Sequence, residues 1–159
     1  MLIPIEISSF ATDAATGQPV VVCKEISGSR TLLLTLDACE ARAIAFNWLE
    51  KSPALPHTID LTRTLVENLR GKFEKVVLSD RRKGLLCAFL YVRSGKRVSH
   101  YVCRVSDGVA LALRCEIPLL ALEALLDKAG EEPVLSEAQK LRRNILAIDT
   151  LRFGEFIIE

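Results

Sequence analysis

CRVSDGVALAL, residues 103–113, is the stretch at which strand signals give way to helix signals. Ser106 is a residue type that caps helix starts, and Val109 to Leu113 is wholly apolar. A helix without a polar face is buried on all sides. We therefore expect this short helix to lie in the core, packed on a sheet that other parts of the chain form.

Three strand-like runs precede that helix and are separated by tight turns. The runs are Phe73 to Asp80, Leu85 to Arg93 and Arg97 to Val105, and the turns are Arg82-Lys83-Gly84 and Ser94-Gly95-Lys96. Short connections of this kind join antiparallel neighbours. The pattern predicts an antiparallel meander with several cations at its rim.

The N-terminal part of the chain has the same organisation and then becomes helical. Strand signals cover Leu2 to Phe10, Pro19 to Ile26 and Thr31 to Leu36, with turn residues between them. Apolar residues then recur at helical spacing from Ala38 to Glu50, and a second helix follows from Thr58 to Leu69, with Thr58 as its expected cap.

The last part of the chain carries two further helical patterns. The first runs from Leu119 to Ala129 after Pro118, and the second has Ser136 and Gln139 as a capping pair. We divide the chain into a domain at residues 1–130 and a C-terminal helical extension at residues 131–159. The predicted fold class is α+β, with an antiparallel or mixed sheet of about six strands, helices packed on it, and a C-terminal helix.

Composition limits the class of protein and its location. The 159 residues suit one domain, and the hydrophobic fraction of 50% excludes a disordered chain and makes a homo-oligomer a candidate assembly. No apolar run approaches the roughly 20 residues that cross a bilayer, and the N-terminus lacks the features of a signal peptide. We therefore predict a cytoplasmic protein without a membrane partner. The five cysteines form no CxxC pair and no Cys/His ligand spacing, which indicates buried, reduced thiols.

Charge is distributed unevenly along a chain whose net charge is only +1. Residues 70–104 hold ten Lys or Arg against two acids, whereas residues 105–137 hold seven acids against two cations. Clustered cations bind phosphates by releasing counterions, so the basic segment predicts a nucleic-acid partner, DNA or RNA. The same cations also suit solvated turns that protect sheet edges without any ligand. The candidate contacts lie in the hairpins: Arg81, Arg82, Lys83, Lys96 and Arg97.

Three blocks carry a resemblance to a known family. They are TLLLTLDACEARAIAF at 31–46, HTIDLTRTLVENL at 57–69, and CRVSDGVALAL at 103–113 followed by Ile117-Pro118. In this order and spacing they resemble the signature blocks of the bifunctional nuclease domain family, over roughly residues 2–130. Asp37 stands where that family has a glycine, and Ile59 stands where it has a histidine, with His57 just upstream.

The resemblance implies a nuclease that cleaves DNA and RNA without a sharp sequence preference. Phosphodiester hydrolysis needs an activated water and neutralised charge, which clustered carboxylates with Mg²⁺ or Mn²⁺ supply. Glu40, Asp60 and Asp107 each lie in the first turn of a predicted helix, so three helix starts could converge on one pocket. These three are the candidate catalytic acids, and Glu40 and Asp107 are the candidate ligands of a divalent metal cofactor, for which no sequence motif occurs. Arg104 is the catalytic candidate that steadies the phosphate.

The same residues also have structural interpretations. An acid in the first turn stabilises its helix by about 0.3–1 kcal/mol. Asp37 with Glu40 has the form of a capping box, and Arg104 and Asp107 are close enough in sequence to pair with each other. Two other function classes therefore stay open. One is a non-catalytic module that binds nucleic acid or protein, and the other is a small-molecule enzyme with a pocket at the helix starts.

Overall fold

The computed structural model describes residues 1–49, 55–81, 85–128 and 134–135, without the side chains of residues 81, 85, 134 and 135. These residues form strands and helices in a mixed order along the chain. The strands are β1 (Leu2–Thr12), β2 (Pro19–Glu25), β3 (Thr31–Thr35), β4 (Gly71–Arg81), β5 (Leu85–Ser94), β6 (Arg97–Cys103), β7 (Leu119–Leu122) and β8 (Val134–Leu135). The helices are α1 (Ala38–Trp48), α2 (Thr58–Asn68), α3 (Val105–Arg114) and α4 (Glu123–Lys128).

The eight described strands belong to one sheet, in the order β6-β5-β4-β7-β1-β2-β3-β8. β1 to β3 and β4 to β6 are two antiparallel meanders, as predicted. β7 joins the meanders by pairing antiparallel with β1 and parallel with β4, and the two-residue β8 pairs parallel with β3. The fold class is therefore α+β with a mixed, mostly antiparallel sheet, which confirms the prediction. The strands beyond the expected six are β7 and β8.

The predicted helix from Leu119 to Ala129 is wrong in its first turn. Leu119–Leu122 forms β7, and the described helix begins only at Glu123, as α4. Buried and half-buried side chains alternate along β7, but an apolar run this short fits a strand or a helix by periodicity alone. Pairing decides for the strand, because the backbone of β7 pairs with β1 on one side and with β4 on the other.

The predicted capping pair at the start of α1 is confirmed. The Asp37 carboxylate accepts the backbone N–H of Glu40 at 2.8 Å, and the Glu40 carboxylate accepts the backbone N–H of Asp37 at 3.1 Å. This reciprocal arrangement satisfies two donors that the helix itself leaves without partners. It also fixes the backbone at the point where β3 ends and α1 begins.

Thr58 and Ser106, predicted as helix caps, lie inside their helices instead. His57 is the residue that precedes α2, and Arg104 is the residue that precedes α3. At α2 the boundary lies one residue earlier because the Asp60 carboxylate accepts the backbone N–H of His57 at 2.9 Å. At α3 the serine hydroxyl is used for a contact with another helix, which is described below.

α3 lies in the core, as its composition predicts. Seven of its ten residues are buried, and it packs against α1, α2, β4 and β5. Gly108 brings this helix close to the sheet. A Cβ atom at position 108 would lie 2.5 Å from the Cβ of Ala88 and 3.2 Å from Cγ1 of Val76. Only a hydrogen atom fits there, so the glycine sets the distance between α3 and β5.

Part of the predicted structure lies outside the described residues. This is the case for the turn Arg82-Lys83-Gly84 and for the C-terminal helix that contains Ser136 and Gln139. The other predicted turn is present as a two-residue connection between β5 and β6, with Gly95 at a φ of 59°. None of the helices that the structure describes is long and apolar enough to cross a membrane.

Gly108→Ala tests the close approach of α3 to the sheet. We expect the free energy of unfolding to fall by about 1–3 kcal/mol, because the added methyl group overpacks a filled contact. In an Ala88→Gly background the opposing methyl is gone and the 3.2 Å approach to Cγ1 of Val76 remains, so the same substitution should cost clearly less than in the native protein. Urea unfolding of the four proteins measures both effects. An equal loss in both backgrounds would contradict the contact.

Candidate active site at the starts of helices α1 and α3

A buried carboxylate joins the starts of α1 and α3. Glu40 is 7% exposed and Ser106 is 3% exposed. The Ser106 hydroxyl donates to Oε1 of Glu40 at 2.8 Å, and the backbone N–H of Asp37 donates to Oε2 at 3.1 Å. Both carboxylate oxygens therefore have a donor, which is what a buried charge requires.

An ion pair lies at the surface of the same junction. The Arg104 guanidinium donates through Nε to Oδ2 of Asp107 at 2.9 Å and through Nη2 to Oδ1 at 3.2 Å. The two side chains are 61% and 39% exposed. The hydrogen bond and charge of Asp107 raise the pKa of Arg104, and the charges of Glu40 and Asp37 raise it further. Arg104 is thus a permanent cation among three carboxylates, and its predicted pairing with Asp107 is present.

Asp60 lies elsewhere. Its Oδ1 accepts from Nε of Arg114 at 2.5 Å, and its Oδ2 accepts from the backbone N–H of His57. Arg114 is the last residue of α3, whereas Asp107 is in the first turn, about 10 Å away along the helix axis. The predicted convergence of three helix starts is therefore wrong. The starts of α1 and α3 meet, but α2 begins beside the end of α3.

The predicted metal ligands Glu40 and Asp107 are engaged by the protein itself. Each of their four carboxylate oxygens accepts a hydrogen bond from a donor in the chain. Among the side chains that the structure describes, no group of three or more His, Cys, Asp or Glu is placed to hold a metal ion. A resident ion coordinated by this pair does not fit the arrangement, since the ligand oxygens would first have to give up their donors.

The structure places two of the five predicted nucleic-acid contacts. Lys96 and Arg97 are exposed at the connection between β5 and β6. The side chain of Arg81 and the residues Arg82 and Lys83 lie outside what the structure describes. The structure therefore shows two exposed cations of this meander, both at the turn between β5 and β6.

None of the five cysteines, all of which lie in the described part of the chain, forms a disulfide bond, and the prediction that they are all buried is wrong. Cys23 and Cys87 are buried, whereas Cys39 is exposed near the start of α1. Burial raises the pKa of Cys23 to about 12 and that of Cys103 to about 11. These two thiols stay protonated at neutral pH and are poor nucleophiles.

Sequence reasoning missed two partners at these contacts. Ser106 is 66 residues from Glu40 in the chain, and no local pattern links them. Arg114 carried a weak signal, because a cation in the last turn of a helix is favoured by the helix dipole. Together with Arg63 and Lys72, Arg114 also lines a cleft of about 290 Å³ between the ends of α2 and α3.

Comparison with known proteins identifies the family of this chain. Residues 21–133 match the bifunctional nuclease domain, and the chain belongs to this family. The family resemblance is therefore confirmed. The matched range contains the starts of α1 and α3 but begins inside β2, so β1 lies outside it although it pairs with β2 and β7.

Two relatives come from Mycobacterium tuberculosis. They are "Uncharacterized protein Rv1829" of strain H37Rv and "Uncharacterized protein MT1877" of strain CDC 1551. Each is 32% identical to this chain over 126 residues, which is 79% of this chain and 75% of the relative. Their names state no activity, so the comparisons show the family and not the reaction.

Asp60→Asn tests whether this acid has a structural role. Burial raises the pKa of Asp60, but the hydrogen bonds from His57 and Arg114 outweigh that effect, so its pKa lies below the usual value. The charged carboxylate therefore stabilises the fold above its unfolded-state pKa of about 4, and this contribution is lost as the pH falls through the lower folded-state pKa.

We expect Asp60→Asn to lower the free energy of unfolding by about 1–3 kcal/mol at neutral pH, because a charge-assisted hydrogen bond to Arg114 is lost. The difference from the native protein should shrink in acid, below the pKa of the carboxylate. Urea unfolding at neutral and acidic pH measures it. A loss of stability that does not depend on pH would contradict the ion pair.

Proposed function

We propose that this protein is a cytoplasmic nuclease that hydrolyses phosphodiester bonds of DNA and RNA with low sequence specificity, at the junction of α1 and α3. The observation that carries the proposal is the exposed Arg104–Asp107 pair beside the buried Glu40, in a chain of the bifunctional nuclease domain family. The five cysteines form no disulfide bond among the described residues, which agrees with a reducing compartment.

Arg104 and Asp107 are the groups that would meet the substrate. A phosphate competes with the Asp107 carboxylate for the Arg104 guanidinium, because each accepts paired hydrogen bonds from it. Phosphate binding therefore releases Asp107 next to the scissile group. The carboxylate takes a proton from a water molecule, the water oxygen forms a bond to phosphorus, and the bond from phosphorus to the leaving oxygen breaks. Solvent protonates the leaving oxygen.

Glu40 acts in this proposal as a positioning residue. It is nearly inaccessible to solvent, and both of its oxygens are used by donors of the chain. Its hydrogen bond to Ser106 holds the start of α3, and with it Arg104 and Asp107, against the start of α1. Loss of the Glu40 carboxylate would therefore displace the reacting groups without removing them.

In this proposal the divalent ion binds together with the substrate. Nucleic acids carry their own counterions, and Mg²⁺ in phosphate chemistry is commonly bound by one or two carboxylates together with substrate phosphates. Asp107 would be one such carboxylate after a phosphate had replaced it as the partner of Arg104, and the ion would help to neutralise the charge of that phosphate. We therefore expect Mg²⁺ or Mn²⁺ to raise the cleavage rate without a permanent metal centre.

A non-catalytic module that binds nucleic acid or protein is the second candidate function. It is favoured by the hydrogen bonds that already engage Glu40 and Asp107, since acids used in this way stabilise a fold without any chemistry. This alternative predicts binding without cleavage under every metal condition.

An exposed leucine stripe on α2 supports a homo-oligomer as part of the proposal. The stripe consists of Leu61, Leu65 and the adjoining Leu69, which are 55%, 52% and 77% exposed and recur every four residues. Contiguous exposed apolar surface of this kind marks a contact with another protein. The oligomeric state of the purified chain, measured by light scattering, tests this part of the proposal.

Cleavage of labelled single-stranded and double-stranded DNA and RNA by the purified full chain tests the nuclease. We expect Asp107→Asn to lower kcat by about 100-fold or more, because a general base is lost. Arg104→Gln should raise KM as well, because the phosphate loses its paired donors. Asp127→Asn is the matched control, since Asp127 is also an exposed carboxylate paired with an arginine, Arg30.

These reactions are run with Mg²⁺, with Mn²⁺ and with EDTA. Only variants whose midpoint of thermal unfolding equals that of the native protein are compared. Equal cleavage by Asp107→Asn and Asp127→Asn would contradict the assigned site. If cleavage disappears as the preparation becomes purer while nucleic acid still binds, the nuclease proposal is wrong and the non-catalytic binding module is supported.

A further inference from the structure

A second surface lies on the face of β4, β5 and β6 that is turned away from α3. Position 108 of α3 approaches Ala88 and Cys103, which are paired neighbours on β5 and β6. Side chains alternate between the two faces of a strand, and paired residues share a face. Phe89 and Val102, which are also paired and lie one residue away, therefore belong to the opposite face.

One row across this opposite face consists of Lys75, Tyr91 and His100, which are paired in register. The ring centre of His100 lies 5.6 Å from that of Tyr91 and 5.8 Å from that of Phe89. Nζ of Lys75 lies 4.7 Å from the centre of the Tyr91 ring. His100 is exposed, and Tyr91 and Phe89 are half-buried. We call the surface formed by the rings of Phe89, Tyr91 and His100 the aromatic face.

Cations accompany the aromatic face on the same strands. Lys75 lies directly against the Tyr91 ring, and Lys96 and Arg97 are exposed where β5 turns into β6. The segment that forms these strands, residues 70–104, has ten cations and only two acids. One of those acids, Glu74, is paired with Arg93. Lys75 and the exposed Lys96 therefore place positive charge beside the rings.

We propose that the aromatic face binds single-stranded nucleic acid by stacking unpaired bases on Tyr91, His100 and Phe89, while Lys75 and Lys96 neutralise the phosphates. Every base has a π-face, so stacking of this kind tolerates any sequence. A duplex keeps its base faces stacked on each other and presents only base edges and backbone, so it cannot use the rings. The inference rests on the proposed function in one respect, since it assigns unpaired strands as the substrate class of that nuclease.

The aromatic face is connected to the candidate active site by β6 itself. His100 lies in β6, the strand ends at Cys103, and Arg104 follows immediately. Four residues of extended chain span about 13 Å. A nucleic acid strand that stacks on the rings and follows β6 therefore reaches Arg104 within a few nucleotides. The rings hold the strand, and the Arg104–Asp107 pair receives its phosphate.

Fluorescence anisotropy with the full chain in EDTA tests this inference without any cleavage. The probes are a labelled oligo(dT) strand of about 12 nucleotides, within the site sizes of such surfaces, an abasic strand of equal length, and a duplex of equal length. Stacking predicts that oligo(dT) binds about fivefold or more tightly than the abasic strand, although both carry the same phosphates.

Tyr91→Ala and His100→Ala should each weaken oligo(dT) binding about fivefold or more and leave abasic binding unchanged. Tyr101→Ala is the matched control, because Tyr101 is 58% exposed on the same strand but belongs to the other face of the sheet. Tyr91→Leu keeps an apolar side chain at the half-buried position and should weaken binding as Tyr91→Ala does, which separates stacking from folding.

Equal binding of oligo(dT) and the abasic strand would overturn the inference, and so would equal losses in Tyr91→Ala and Tyr101→Ala. If the protein fails these binding tests but still cleaves nucleic acid, the nuclease proposal stands and the proposed role of the aromatic face is wrong. The expected binding pattern without any cleavage would have the opposite meaning: the aromatic face would stand, and the nuclease would fail.

Discussion

The buried Glu40 carboxylate is the group on which the arrangement of α1 and α3 depends. A charge removed from water must be fully hydrogen-bonded, and loss of one partner of such a group is strongly destabilising. Here one oxygen is satisfied within the α1 capping box and the other by Ser106, which belongs to α3. A local cap and a long-range contact thus share one carboxylate, so the start of α3 cannot move away from the start of α1 without taking the donor from one of the two carboxylate oxygens.

The two layers of charge at this junction have different energetic roles. The Glu40–Ser106 contact is shut away from solvent, whereas the Arg104–Asp107 pair is largely exposed. An exposed ion pair contributes only about 0–1 kcal/mol, so a phosphate can open it at little cost. The buried bond holds the site in place while the exposed pair is free to exchange partners. The close packing of Gly108 against Ala88 adds a second restraint on α3.

Local features of this fold could be predicted from the sequence, and features that depend on distant partners could not. The Asp37–Glu40 capping box spans four residues and follows from residue types alone, and both meanders follow from their short turns. The strand β7 was missed because its conformation is decided by pairing with β1 and β4, far away in the chain. The site shows the same division. Arg104 and Asp107 pair within one turn, whereas Asp60 finds its partner on another helix, at the wrong end of α3 for the expected pocket.

The most direct test is a double-mutant cycle of Glu40→Gln and Ser106→Ala, with the free energy of unfolding measured in urea for the four proteins. A hydrogen bond to a buried carboxylate predicts a coupling energy of about 1.5–3 kcal/mol between the two positions. It also predicts that either substitution slows cleavage of nucleic acid in the folded protein, because each one releases the start of α3. Additive effects on stability, with a coupling energy near zero, would contradict the account, because the bond that positions Arg104 and Asp107 would then carry no energy.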